Sequence, residues 1–372
     1  MSSRYILLKK AIAFFNKTLE QTTTQTKPSL QNKNRNTILF SLLTLALLLT
    51  FLLNISLGSV SIPVKDVFNS LIGGNSSKET WDYIIINYRL PKAIAAILAG
   101  MGLSISGLLM QTLFRNPLAG PDVLGLSSGA SLGVATIVLG AAFLPPFLSS
   151  ILLSPYGIIL ASSLGSFMVL LAVLAVSQRL RDTMAILIVG LMFASLTSAI
   201  IGTLTYFSTA EQLQKFTFWS LGNLGNLSWP SIGILSICVT IALLLSLVSI
   251  KPLNALLLGE NYARSLGMNY KKTRLIIIFT TSILAGSITA FAGPIAFIGL
   301  AVPHIAKLVF QTSNHTILFW STLLFGAIIM LICDSISQLP GSNLSLPINA
   351  VTSIFGAPIV IWLLIRKRRM MN

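Results

Sequence analysis

Ten apolar runs, each close to the length needed to cross a bilayer, follow one another along this chain with mostly short polar connections. They lie near residues 37–57, 92–113, 124–144, 152–176, 184–206, 229–249, 274–292, 295–311, 316–335 and 347–365. A helix crosses the ~30 Å hydrocarbon layer in about 20 residues. The pattern therefore predicts an all-α membrane protein with about ten transmembrane helices. The eighth run contains Pro303 and His304, and only Ala292, Gly293 and Pro294 separate it from the seventh. A broken or re-entrant element is expected there. The domain plan is a polar, basic tail (1–36), a ten-helix membrane domain (37–366) and a basic end (367–372).

Only 9% of the residues are charged, against about 25% in a soluble domain. The net charge of +16 raises the question of nucleic acid, but the charges sit at the ends of apolar runs and exclude that partner. Twenty of the 25 Lys and Arg fall on one side when the runs are threaded through a membrane. Lys65, Lys78, Arg89, Lys92 and Lys215 make up the other side. By the positive-inside rule both termini lie in the cytoplasm. No cleavable signal peptide is evident. Leu8, Ile12, Phe15 and Leu19 share a helical face near the N-terminus, so a basic helix on the inner leaflet and an unstructured tail are both open.

The run from Ala93 to Met110 carries Gly100, Gly102, Ser104, Ser106 and Gly107. Small residues let backbones approach closely, so this helix is expected to be enclosed by others. Two connections exceed turn length. Residues 58–91 hold a short amphipathic segment around Pro63 to Leu71. Residues 250–273 read as two short helices meeting at Gly259 and ending at Gly267, with Leu256, Leu257, Tyr262, Ala263 and Leu266 at helical spacing. Such helices on the cytoplasmic face suit contact with a peripheral protein.

The chain has no GxxxxGK[ST] phosphate loop and no HExxH, so it does not cradle ATP by itself in that way. His304 and His315 have no Cys or carboxylate at metal-ligand spacing. Cys238 and Cys333 lie inside apolar runs and read as small buried hydrophobes. Gly125-Leu126-Ser127-Ser128-Gly129 matches GxSxG, which raises a serine protease with Ser127 as nucleophile and His304 as base. The strand-to-elbow context is missing, and Gly129 and Gly133 need only helix packing. Within the runs, Asp334 and Lys307 are the ionisable residues that stand out. No relay of carboxylates crosses the membrane, which argues against an ion-driven transporter.

Several motifs occur together and in order. They are Arg89-Leu90-Pro91-Lys92, Arg115-Asn116-Pro117-Leu118-Ala119, and Leu124-Gly125 through Gly129-Ala130. Further on come Phe218-Trp219-Ser220-Leu221-Gly222, Gly259 to Gly267, Gly293-Pro294-Ile295-Ala296-Phe297, Pro303-His304, and Leu346-Pro347 through Gly356-Ala357-Pro358. With them the chain resembles the FecCD family of ABC-transporter permeases, the membrane subunits of iron–siderophore, haem and vitamin B12 importers. The resemblance covers about residues 40–366. It implies a type II importer bundle that pairs with a second permease, the same or related, and binds no cofactor itself.

The resemblance further implies two cytoplasmic ATPases, which carry ATP and Mg, docking on Leu256, Leu257, Gly259, Glu260, Ala263, Leu266 and Gly267. An external substrate-binding protein is expected to engage Arg89 and Lys92. Asn116, Leu118, Asp182 and Thr183 are expected to narrow the inner end of the pathway. Lys92 stands where Arg is usual, and Gln338 where some members carry a further base. The implied function is transport of a ferric-siderophore-type chelate, with haem or cobalamin as the alternative cargo and an ion-coupled transporter as the rival class.

Overall fold

A computed structural model describes residues 30–369 except 75, 144, 180–182, 226 and 343. The segment Arg4 to Leu19, open between a surface helix and an unstructured tail, lies outside the described residues. Residues Met1–Leu45 form one unit, whose described part is the first half of a helix. Ala46–Asn372 form the second, and the packing and sites described below belong to it. The described residues are helical and contain no strand.

The helices are α1 (Leu30–Ser56), α2 (Val64–Leu71), α3 (Glu79–Ile84), α4 (Leu90–Leu113), α5 (Leu126–Val138), α6 (Pro146–Leu152), α7 (Pro155–Arg179) and α8 (Thr183–Tyr206). They continue with α9 (Ala210–Ser220), α10 (Trp229–Val248), α11 (Ile250–Leu256), α12 (Glu260–Ser265), α13 (Tyr270–Ala292), α14 (Ile298–Phe310), α15 (His315–Ser337) and α16 (Ile348–Arg369). Each of the ten apolar runs corresponds to one helix.

Among the described residues, seven helices are long and apolar enough to cross a membrane, and α5, α14 and the Ile348–Trp362 part of α16 are shorter. Three boundaries depart from the sequence reading. The third run, expected over 124–144, is a helix of only 13 residues. A 3-10 turn over Pro121–Leu124 precedes it, and Gly125 takes a left-handed φ of 75° that breaks the line. The eighth is also 13 residues, entered through the non-helical residues 293–296 and a left-handed Phe297. At the N-terminal side, α1 begins at Leu30, inside the segment read as a tail, because helical winding continues past the apolar run.

Helix α4 is the enclosed one. Its most apolar stretch is 78% buried. The small residues explain why. A Cβ added at Gly100 would fall 2.1 Å from Gly326 O on α15, and one at Gly107 would fall 1.7 Å from Gly299 O on α14. The backbones touch there, and only glycine permits it. Ser104 Oγ donates to Thr322 O at 3.1 Å, tying α4 to α15. A second close pair joins α5 to α7, where Gly129 meets Gly165 and Gly133 meets Ala161 O. Ser166 Oγ donates to Leu126 O at 2.9 Å across that pair.

Pro303 lacks the N–H that would bond to Gly299 O within α14. The Gln111 side chain of α4 supplies the missing donor, with Nε2 3.4 Å from Gly299 O and 3.1 Å from Leu300 O. Lys307 Nζ donates back to Gln111 Oε1 at 3.4 Å. A proline inside a membrane helix is tolerated where a neighbour repairs the backbone in this way.

Candidate functional site

The connection 250–273 folds as its sequence pattern predicts. Helices α11 and α12 meet at Gly259, whose φ is 112°, and α12 ends before Gly267 at 85°. Only glycine takes these angles without strain. The seven candidate docking residues divide by burial. Leu256 and Ala263 are buried at 3% and 0%, and seat the two helices on the body. Leu257 and Leu266 are exposed, together with Leu258 and Tyr262. Glu260 pairs with Arg264 one turn on. An open cavity of about 650 Å³ lies beside them, lined by residues that include Arg115, Gly259 and Tyr262.

The same surface touches the end of α4. After Leu113 the chain turns sharply, with Asn116 N bonded to Gln111 O at 3.1 Å and Arg115 N to Thr112 O at 3.2 Å. This is the turn glycine usually makes, yet Arg115 occupies it at φ 46°. Its Nη2 donates to Leu256 O at 3.3 Å, which binds the turn to α11. Asn116 Oδ1 accepts from Leu118 N at 2.9 Å, and His304 Nε2 lies 2.9 Å from Pro117 O. Leu118 itself is exposed. The sequence-derived gate residues Asn116 and Leu118 thus share one braced turn. Asp182 lies outside the described residues, and of Thr183 only its place at the start of α8 is described.

Three residues here escaped the sequence reading. His315, 1% exposed, bridges Asn254 of α11 and Thr112 of α4. The signal was a histidine at the mouth of an apolar run, but its partners lie 61 and 203 residues away.

At the other end of α4 the helix enters through α3 and one π-helical turn over Ile85–Arg89. Arg89 ends that turn. Its Nη1 donates to Ile55 O at 2.7 Å and Ser56 O at 2.9 Å, and its Nη2 to Val60 O. The guanidinium therefore caps the last carbonyls of α1, where a cation is favoured. Lys92 Nζ lies 3.1 Å from Asp334 of α15. Asn54 Nδ2 and Gln338 Nε2 also donate to that carboxylate, at 3.0 and 2.9 Å. Both candidate docking cations are thus engaged within the chain. Lys92 remains partly exposed and borders a cavity of about 540 Å³, lined also by Asn223, Ser337 and Leu346.

Asp66 of α2 accepts from the hydroxyl and amide of Ser77, at 2.6 and 2.8 Å. The Ser77 hydroxyl, and then its amide, hold the carboxyl below its ordinary range. The motif around Trp219 has a physical role of its own. Asn223 N donates to Ala292 O at 2.8 Å, so this loop caps the break between α13 and α14. A Cβ on Gly293 would come 2.6 Å from Trp219 O. Ser127, the residue of the GxSxG match, donates to Asp122 Oδ1 at 2.6 Å.

The chain is similar to known proteins along most of its length. The chain is 33% identical over 327 residues to the hemin transport system permease protein HmuU of Yersinia pestis, covering 88% of this chain and 96% of that protein. It is 34% identical over 340 residues to the vitamin B12 import system permease protein BtuC of Klebsiella pneumoniae, covering 91% and 96%. A solved structure assigned to the metal-chelate type of ABC transporter, in an inward-facing conformation, superposes with a TM-score of 0.77 at 27% identity, covering 88% of this chain and 99% of that one. The profile of the FecCD transport family matches residues 45–366, and the chain belongs to that family as a multi-pass ABC importer permease.

Proposed function

We propose that this permease pairs with a second permease, the same chain or a related one, and moves a ferric-siderophore-type chelate into the cytoplasm. Two cytoplasmic ATPases dock on α11 and α12, and an external binding protein delivers the chelate at the end of α4 that carries Lys92. ATP and Mg belong to the ATPases, and this chain is the non-enzymatic pathway. The Lys and Arg bias supports placing both termini in the cytoplasm.

The observation that carries this reading is the apolar surface of Leu257, Leu258, Tyr262 and Leu266, exposed on two short helices that Leu256 and Ala263 seat. Exposed apolar side chains beside a membrane domain suit a protein partner. Co-purification of an ABC ATPase with the chain tests it. An intact complex after Leu266→Glu and Gly267→Glu would remove the docking role.

For the cargo, likeness to a transporter assigned to the metal-chelate type supports a chelated metal. A second reading, haem or vitamin B12, is favoured by the names of HmuU and BtuC. Binding of ferric siderophores, haemin and cobalamin to the partner binding protein decides between them. Tight binding of haemin or cobalamin with none of any ferric siderophore would overturn the first reading.

A further inference from the structure

Asn254, His315 and Thr112 form an unbroken line from α11 to the last turn of α4. Asn254 Oδ1 accepts the His315 backbone N–H at 2.8 Å and lies 3.0 Å from His315 Nδ1. The backbone donor fixes that atom as an oxygen, so Nδ1 must carry a hydrogen to face it. In the neutral ring Nε2 is then an acceptor. It lies 2.9 Å from Thr112 Oγ1, whose single hydrogen it shares with Leu108 O at 3.0 Å. His315 is 1% exposed and Thr112 8%, so water does not compete for either bond.

A second tie runs beside the first. Glycine would hold the turn at residue 115 without strain, yet Arg115 stands there at φ 46° and reaches Leu256 O. A strained residue persists where its surroundings hold it, and such positions cluster at switching elements. Both ties start at the same end of α4, and both finish on α11. Leu253 and Leu256 seat α11, buried at 1% and 3%. Asn116 and Leu118 follow Arg115 directly.

We infer that the line Asn254–His315–Thr112, with the parallel tie from Arg115 to Leu256 O, is the transmission between the docking helices and the 116–118 turn. It rests on the ATPase-docking reading above. His315 and Thr112 are positioning residues: a displacement of α11 pulls on Thr112 and Arg115 together, and the braced turn follows. A continuous, buried, hydrogen-bonded line of this kind can carry energetic coupling between two sites.

The test uses the whole complex of permease and ATPase in nanodiscs, with Leu118→Cys added and both native cysteines replaced by alanine. The rate of maleimide labelling at position 118 is measured with and without ATP and vanadate, and no cargo is needed. With the line intact, nucleotide changes the rate by about fivefold or more, the lower range of allosteric coupling. With Thr112→Val or His315→Phe the ATPase still co-purifies, but the change falls below about twofold. Thr112→Ser, which keeps the hydroxyl, restores it.

A full nucleotide effect in Thr112→Val with the ATPase bound overturns the inference. If that variant does not fold, Arg115→Gly replaces it, because glycine relieves the backbone there. It is expected to lose part of the effect, and a full effect in it overturns the inference equally. If no ATPase co-purifies with the unsubstituted chain, the docking reading falls and this inference falls with it.

Discussion

Lys92 Nζ stands 3.1 Å from Asp334 Oδ1, and the aspartate is 1% exposed. Asn54 and Gln338 complete its shell, so the carboxylate joins α1, α4 and α15 at one point. Removing one partner of a buried pair leaves an uncompensated charge and costs about 3–5 kcal/mol, whereas an apolar pair of similar volume costs far less. Lys92→Met is expected to lower the thermal midpoint in detergent. The double variant Lys92→Met with Asp334→Leu should recover part of the loss. Equal midpoints for single variant and parent would show that Lys92 is free for docking instead.

Arg89 bonds three carbonyls around the end of α1. An ammonium cannot reproduce that planar fork. Arg89→Lys should therefore speed amide exchange over residues 53–62. The expected loss is about 1.5–3 kcal/mol, in the range for a hydrogen bond to a charged group. Unchanged exchange would assign Arg89 to the external partner alone.

The glycines of the membrane domain should behave in opposite ways. Gly107→Ala forces a methyl onto Gly299 O and should cost about 1–3 kcal/mol or prevent assembly. Gly202 lies within α8 with nothing near its Cβ position. Gly202→Ala should stabilise by up to ~1 kcal/mol through helix propensity. Scanning fluorimetry of both variants checks the sign of each shift.

Two leucines of the 250–273 connection should separate fold from partner. Leu256→Ala empties a buried site and should cost about 2–5 kcal/mol. Leu266→Ala removes an exposed side chain and should leave stability within about 0.5 kcal/mol while weakening capture of the ATPase. Pull-down and melting data on the same preparations check both.

Acid should loosen the contact between α2 and the segment before α3. The folded carboxyl of Asp66 titrates below its usual value because the Ser77 hydroxyl and amide bond to it. A depressed folded pKa gives stabilisation that is complete above the unfolded value of about 3.9. It is lost as pH falls through the folded value. Exchange of the Ser77 amide should thus be flat from pH 5 to 8, after correction for the intrinsic rate, and gain protection-loss only in stronger acid. Asp66→Asn should raise exchange across pH 5 to 8, where the carboxylate is charged.

The ten apolar runs were legible because hydropathy reports the surroundings of each segment directly. Gly259 and Gly267 were legible too, since both stand where a short helix must stop. The shortness of α5 was not, because the residues of its broken end, around Gly125, are as apolar as a helix. The engagement of Arg89 left no trace, because its partners are backbone carbonyls that any sequence would supply. Lys92 was read only outward, toward a partner, since nothing local shows that Asp334 packs beside it. His315 was passed over for the same reason: its two side-chain partners are distant and have no characteristic spacing.

The proline of α14 makes one residue of that helix mechanically soft. Elsewhere a bend must break a bond between successive turns of the same helix. At Pro303 that bond does not exist, and an amide borrowed from α4 stands in for it beside the close Gly107–Gly299 contact. Flexing α14 there costs one glutamine–carbonyl contact, on the order of 1 kcal/mol, and leaves the rest of the helix wound. Gln111 is therefore a latch whose release turns a stiff rod into a jointed one.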